Sequence, residues 1–342
     1  MDILVIGGSV FLGRTIVEEA MARGHAVTTF NRGRTGTDVP GAAVVHGDRE
    51  DKADLERLAA AGPWDAVIDV CGFTPRVVGD SVRALNGRAS SYTFISSISA
   101  YEDWPAARVD EHSPRFACAP DADETDGGYG ILKAGCERAV ESEFEGRVLV
   151  LQPGLILGPY ENVGRLPWWL RRIAAGGKVL APGDPDRPMQ LVDARDIAVF
   201  TLDRIEAGAE GRYLVGGEAA NTTMGQWLAD CRAATGSDAE LVWVDDDFLL
   251  EREVSPWTEL PLWAPPTDDM AGVWLSDSSK AAEDGFRCRP VRETVADTWA
   301  WLKAAGLPQT LPSYRGHAGT QGIDAEKEER LLAEWEARHA AP

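Results

Sequence analysis

The first half of the chain alternates short apolar or β-branched runs with longer segments whose apolar residues recur every three or four positions. That alternation is the signature of parallel βαβ units. Ile3-Leu4-Val5-Ile6 reads as a buried strand, and Ala26–Phe30, Ala43–Val45, Ala66–Val70, Ser91–Ile95 and Val148–Gln152 read as five more. After the first strand, Gly7 to Gly13 forms a glycine-rich turn. Arg14–Arg23 then places Ile16, Val17, Ala20 and Met21 on the inward side of a helix that Gly24 ends. A long acidic loop, Tyr101 to Gly128, precedes a helix over Tyr129–Glu143. A loop of that length inside a compact domain implies a role, such as covering a site.

Beyond Pro153-Gly154 the pattern is less regular. It predicts a helix near Leu170–Ala175, a turn at Ala181-Pro182-Gly183-Asp184, and a strand over Gln190–Asp196 leading into a helix over Ile197–Ala207. Asn221–Pro266 reads as an irregular α/β lobe rich in tryptophan, with helices over Glu293–Ala304 and Ala325–His339 to follow. The expected class is α/β with a doubly wound parallel sheet.

A chain of 342 residues with 44% hydrophobic content is able to bury a substantial core. Its formal net charge of -21 disfavours binding to a phosphate backbone, so nucleic acid is not an expected partner. Cys71, Cys118, Cys136, Cys231 and Cys288 are odd in number and scattered, which fits a reducing compartment and neither a disulfide framework nor a zinc site. The five histidines are isolated, so no metal is expected. With no signal-like leader after Met1 and no apolar run approaching the ~20 residues of a membrane span, a soluble, cytoplasmic protein is expected.

The candidate chemistry lies at strand ends. Gly7-Gly8-Ser9-Val10-Phe11-Leu12-Gly13 joins a strand to a helix, where backbone N–H groups and the helix dipole hold a diphosphate. Gly7 permits the tight turn and Gly13 the close packing, while Val10 replaces the usual middle glycine, which predicts a somewhat different approach to the phosphates. The second strand ends in Asn31-Arg32-Gly33-Arg34, which offers guanidinium groups to a 2′-phosphate where an acidic residue would have held the ribose of NAD(H). NADP(H) is therefore the expected cofactor, with Asp48 bordering its adenine.

Tyr129 and Lys133 stand four apart at a helix start and so share one face. An ammonium beside a phenol favours the phenolate; taking any tyrosine from about 10 to about 7 requires about 4 kcal/mol. Ser97, at the end of the fifth strand, is the expected hydroxyl for the substrate oxygen, with Ser96 and Ser99 as alternatives. Val70, Cys71, Gly72 and Ser96, at the ends of the fourth and fifth strands, complete the expected cofactor contacts. Phe73, Ser99, Tyr160, Trp168 and Trp263 are candidate substrate contacts, the aromatic ones forming a pocket.

These constellations, in this order and with Asp110-Glu111-His112-Ser113-Pro114 and Gln152 to Pro159, resemble the extended short-chain dehydrogenase/reductases, also called the NAD-dependent epimerase/dehydratase family. Gly7 to Arg14, Phe30 to Gly33 and Asp69 to Pro75 look like an atypical branch containing chloroplast stem-loop RNA-binding proteins and bacterial reductase-like proteins. The resemblance implies a Rossmann domain and a smaller C-terminal substrate lobe, with Pro153, Gly154 and Leu155 beside the nicotinamide. The expected division is 1–160 for the dinucleotide domain, with 188–215 returning to it, 161–187 and 216–310 for the lobe, and 311–342 for a tail and helix.

Two departures speak against a nucleotide-sugar substrate: Gln152 stands where arginine is usual, and the fourth strand ends Asp69-Val70-Cys71-Gly72. The leading expectation is an NADP(H)-dependent oxidoreductase moving hydride to or from a carbonyl, alcohol or imine carbon of a small metabolite, with Tyr129 as general acid/base. The alternatives are an epimerase or dehydratase of a sugar nucleotide or related metabolite, and a non-catalytic dinucleotide sensor or RNA binder. A homodimer is left open by the resemblance, and no membrane partner is expected.

Overall fold

A computed structural model of the chain describes residues 1–34, 37–306 and 321–339. Its first half runs β1 (Asp2–Ile6), α1 (Phe11–Ala22), β2 (Ala26–Asn31), β3 (Ala43–His46), α2 (Lys52–Ala61), β4 (Ala66–Asp69), α3 (Pro75–Leu85), β5 (Ser91–Ile95), α4 (Tyr129–Glu143) and β6 (Arg147–Pro153). It continues through β7 (Leu155–Leu157), α5 (Arg165–Ala174), β8 (Lys178–Pro182), β9 (Pro188–Met189), β10 (Leu191–Asp193), α6 (Ala194–Glu206) and β11 (Gly211–Val215). The remainder includes β12 (Thr222–Thr223), α7 (Met224–Thr235), β13 (Glu240–Val244), α8 (Asp246–Glu251), α9 (Ser279–Glu283), α10 (Val291–Ala304) and α11 (Ala325–His339).

Seven strands form one sheet in the order β11-β6-β5-β4-β1-β2-β3, parallel throughout. Successive side chains of a strand point to opposite faces, and a parallel sheet is covered on both. Ile3 and Val5 accordingly pack with Ile16, Val17 and Ala20 of α1 and with Ile197, Phe200 and Leu202 of α6. Leu4 and Ile6 face Leu55 and Leu58 of α2, Val78 and Val82 of α3, and Cys136, Ala139 and Val140 of α4. The result is the doubly wound Rossmann architecture, with the order reversing at β1, between β2 and β4.

The other core lies in the tryptophan-rich part, where Trp169, Trp227 and Trp263 pack wholly buried among α5, α7, α8 and α10. Short strand pairs brace it: β8 with β13, β7 with β10, and β9 with β12. The predicted turn at Ala181–Asp184 is corrected here. Ala181 and Pro182 finish β8, because their carboxyl-side neighbours pair with Trp243 and Val244 before Gly183 turns the chain in the left-handed region at φ 67°. Likewise β10 is only Leu191–Asp193 and α6 begins at once, because the Asp193 carboxylate accepts from the Arg195 N–H and caps the helix. α11 docks through buried Glu328, which accepts from the Leu180 N–H at 3.0 Å and pairs with Arg172 Nε at 2.7 Å. The expected boundary at 310/311 lies outside the described residues. None of the described helices is long and apolar enough to cross a membrane.

Candidate active site

A cleft of about 330 Å³ opens at the carboxyl end of the sheet beside β1. Gly7, Ser9, Val10, Phe11, Leu12, Asn31, Arg32, Asp48, Val70, Cys71 and Phe73 of the predicted contacts line it. The glycine turn is built for close approach. A Cβ on Gly7 would stand 2.5 Å from Val70 Cγ2, and one on Gly13 2.8 Å from the Gly8 nitrogen. Val10 is extended (φ -138°, ψ 151°), so its position makes no left-handed demand and needs no glycine. That demand falls instead on Gly7 (φ 108°), Gly8 (φ 93°) and Phe11 (φ 43°). Val10 offers no side-chain acceptor to the first N–H groups of α1, which leaves them to face the cleft. These features fit a bound diphosphate.

At the end of β2, the Asn31 side chain is already engaged: its Nδ2 donates to Asp38 at 2.9 Å and its Oδ1 accepts from the Gly33 N–H at 2.8 Å. Arg32 is exposed at the cleft mouth, and Arg34 is exposed beside it but is not part of the lining. Asp48 accepts from the Glu50 N–H, while its own N–H donates to Asp54.

Arg49, in the cleft wall, was not anticipated. Its guanidinium donates to Asp69 at 2.7 and 3.0 Å and to Ser81 at 3.0 and 3.2 Å, and lies 3.7 Å from Cys71 Sγ. Tyr92 donates to the same Asp69 at 2.9 Å. Burial works against the Arg49 charge, but the neighbouring Asp69, with Cys71 and Tyr92, holds it well above its ordinary value. Burial likewise pushes the Tyr92 phenol and the Cys71 thiol up. The signal for this cluster was a carboxylate ending an otherwise apolar strand, Ala66-Val67-Ile68-Asp69. Glu50, Thr74, Val77 and Asn162 also line the cleft without having been expected.

The Tyr129–Lys133 face of α4 meets the ends of β4 and β5. Lys133 is buried, and its Nζ donates to the Gly72 carbonyl at 3.0 Å and the Ile95 carbonyl at 2.8 Å. It also lies 4.4 Å from the Phe94 ring centroid and 5.4 Å from that of Phe73. Tyr129 stays exposed, its ring 6.5 Å from Phe73. Ser97 Oγ accepts from the Ser99 N–H at 3.1 Å, and a Cβ on Gly130 would meet the Ser99 carbonyl, which brings that segment against the start of α4. Ser96 points the other way, into the protein, where its hydroxyl donates to Glu137. Glu137 also receives the Gln152 amide at 3.0 Å and Arg115 at 2.6 Å, and Tyr101 donates to Gln152 at 2.6 Å. This buried network ties the long loop to α4 and β6, and it occupies the Ser96 hydroxyl.

Pro153 pairs in register with Val215, and Gly154 lies against Gly216, where a Cβ would be 2.9 Å from the Gly216 Cα. Leu155 is buried in the second core. The five residues expected to touch substrate separate. Phe73 and Ser99 lie by Tyr129. Tyr160 lies under Arg14 and against Trp301, Trp168 packs edge-on to Trp169, and Trp263 is wholly buried with its Nε1 on Asp246. Among the described residues no ring contact joins Tyr160, Trp168 and Trp263. The expected aromatic pocket is corrected accordingly: hydrophobic burial has drawn Trp263 into the lobe core.

Residues 3–216 match the NAD dependent epimerase/dehydratase family. The chain is 24% identical over 256 residues to the chloroplast stem-loop binding protein of 41 kDa b of Arabidopsis thaliana, covering 70% of this chain. That match spans 65% of the plant protein's own length. In structure it is similar to the Bordetella bronchiseptica enzyme WbmH in complex with NAD+, with TM-score 0.66 and 18% identity over 89% of this chain and 99% of that one. The Bordetella bronchiseptica enzyme WbmG in complex with NAD and UDP gives TM-score 0.66 and 21% identity over 89% and 96%. The UDP-glucose 4-epimerase of Thermotoga maritima with UDP-glucose gives TM-score 0.64 and 19% identity over 89% and 99%.

Proposed function

This chain belongs to the NAD dependent epimerase/dehydratase family, and on that premise we propose that it is an enzyme moving hydride between a bound nicotinamide dinucleotide and a carbinol or carbonyl carbon of a small molecule. The observation that carries this reading is the Lys133 ammonium, held by the Gly72 and Ile95 carbonyls on the helix face that presents Tyr129 next to the Ser97 segment. The dinucleotide, when bound, supplies the hydride donor or acceptor. The chain's own residues hold it and manage the proton. Gly7 and Gly13 admit the diphosphate, and the open N-terminus of α1 faces it. Tyr129 gives or takes the proton at the substrate oxygen, and Ser97 orients that oxygen. Lys133 fixes the helix and places a positive charge behind the phenol.

Arg32 at the cleft mouth, with no carboxylate at position 31, supports a preference for NADP(H) through its 2′-phosphate. Relatives named with NAD bound support NAD(H). Comparing NADPH and NADH affinities by titration decides between them.

A second reading is favoured by the family and by the neighbours named as UDP-glucose 4-epimerases: the hydride returns to the substrate within each turn. Cofactor absorbance during turnover separates the two. Net consumption means oxidoreduction, and conversion without it means epimerisation or dehydration. Absence of dinucleotide binding would refute both.

A further inference from the structure

Two helix N-termini border the cleft, and they differ in what meets their backbone donors. That of α1 carries no side-chain cap. That of α5 is filled from within. The preceding loop lies on the cleft, since Asn162 lines it and the Tyr160 ring sits 4.7 Å below the Arg14 guanidinium. Between these two residues Glu161 turns inward, wholly buried, and accepts from the Arg165 N–H at 2.8 Å and the Leu166 N–H at 3.3 Å. The Gly164 N–H contributes as well, and Arg165 and Arg171 lie within its electrostatic reach. First-turn N–H groups and nearby guanidinium groups are what a phosphate seeks. Here a side-chain carboxyl holds them.

The other lobe cations that would meet an anion are similarly committed. Arg187 forms a two-pronged pair with Asp246 at 2.5 and 2.9 Å, in contact with Trp263. Arg172 is held by Glu328 and by the Gly176 and Lys178 carbonyls. The surrounding field, from a chain of formal charge -21, also repels a further dianion.

We infer that Glu161 acts as a resident occupant of the α5 N-terminus, and that the substrate is a small uncharged carbonyl or hydroxyl compound carrying no phosphate or diphosphate. This rests on the dinucleotide-dependent reading above and narrows its substrate class. Two oxygens on the helix donors leave no site for a phosphoryl oxygen, and displacing them would strand a buried carboxyl without partners.

The test uses the full chain saturated with dinucleotide, so that the α1 site is already taken. Calorimetric titration with UDP and with UDP-glucose is expected to show no saturable binding at millimolar concentration. Glu161→Gln, which removes the charge and weakens the cap, is expected to bind UDP at least tenfold more tightly than wild type. In turnover, glyceraldehyde is expected to exceed glyceraldehyde 3-phosphate at least tenfold in kcat/KM. Saturable UDP or UDP-glucose binding by wild type, or a preference for the phosphorylated aldehyde, overturns the inference. Failure of the underlying reading looks different, since dinucleotide itself would then not bind. If neither aldehyde is turned over, the UDP titration on wild type still decides.

Discussion

The Lys133 ammonium donates to the Ile95 carbonyl at 2.8 Å, which fastens α4 to the end of β5 two residues before Ser97. Tyr129 lies one helical turn earlier on the same helix, so this single contact sets the spacing of phenol and hydroxyl. Lys133→Met keeps the apolar stem but leaves the Gly72 and Ile95 carbonyls unpaired. Each unsatisfied buried acceptor costs about 1–3 kcal/mol. Urea unfolding is expected to show a loss within that range, together with loss of turnover. Full stability and full activity in this variant would remove Lys133 from the site.

Arg32 carries the cofactor preference. A charge-assisted hydrogen bond contributes about 1.5–3 kcal/mol, or roughly 10- to 150-fold in affinity. Arg32→Ala is expected to weaken NADPH binding by that factor and to leave NADH within about twofold. Equal effects on the two cofactors would assign Arg32 to general electrostatics, and a wild type that prefers NADH would reverse the assignment.

Much of this architecture is legible in the sequence for one reason: a parallel sheet buried on both faces writes its strands as continuous apolar runs. Ile3–Ile6, Ser91–Ile95 and the helix beginning at Tyr129 are plain on that ground. The turn at Gly7–Gly13 is equally plain, because only glycine tolerates its close packing. What escapes is whatever long-range pairing creates. Arg49 sits in Gly47-Asp48-Arg49-Glu50-Asp51, which reads as a solvated charged loop, and only the sheet brings it to Asp69, twenty residues on. Glu137 looks like one more exposed acid on α4 until Ser96, Gln152 and Arg115 converge on it. The tryptophans mislead in the opposite sense. A ring such as Trp263 suits a binding pocket or a core equally well, and burial is settled only by the partners.

Burial pushes the Glu161 carboxyl from 4.5 up to about 7, against the pull of Arg165 and the backbone donors. Its proton is therefore held more tightly in the folded chain than in the unfolded one. The stability this contributes is complete below about 4.5 and is lost as pH rises through about 7. Glu161→Gln has no such proton to lose. The stability of wild type relative to this variant is expected to fall by roughly 3 kcal/mol over that window, read by chemical denaturation at each pH. Parallel pH profiles would show that Glu161 titrates as an ordinary exposed acid.

The central claim is that Tyr129 handles the proton at the substrate oxygen while the dinucleotide is held elsewhere, by the glycine turn. Tyr129→Phe removes one exposed oxygen and leaves the contact with Phe73 to the ring. Its kcat, measured on any compound that wild type converts, is expected to fall by about 10²–10⁴-fold. Dinucleotide affinity, measured on the same preparation, is expected to stay within about twofold. Turnover at the wild-type rate would contradict the account.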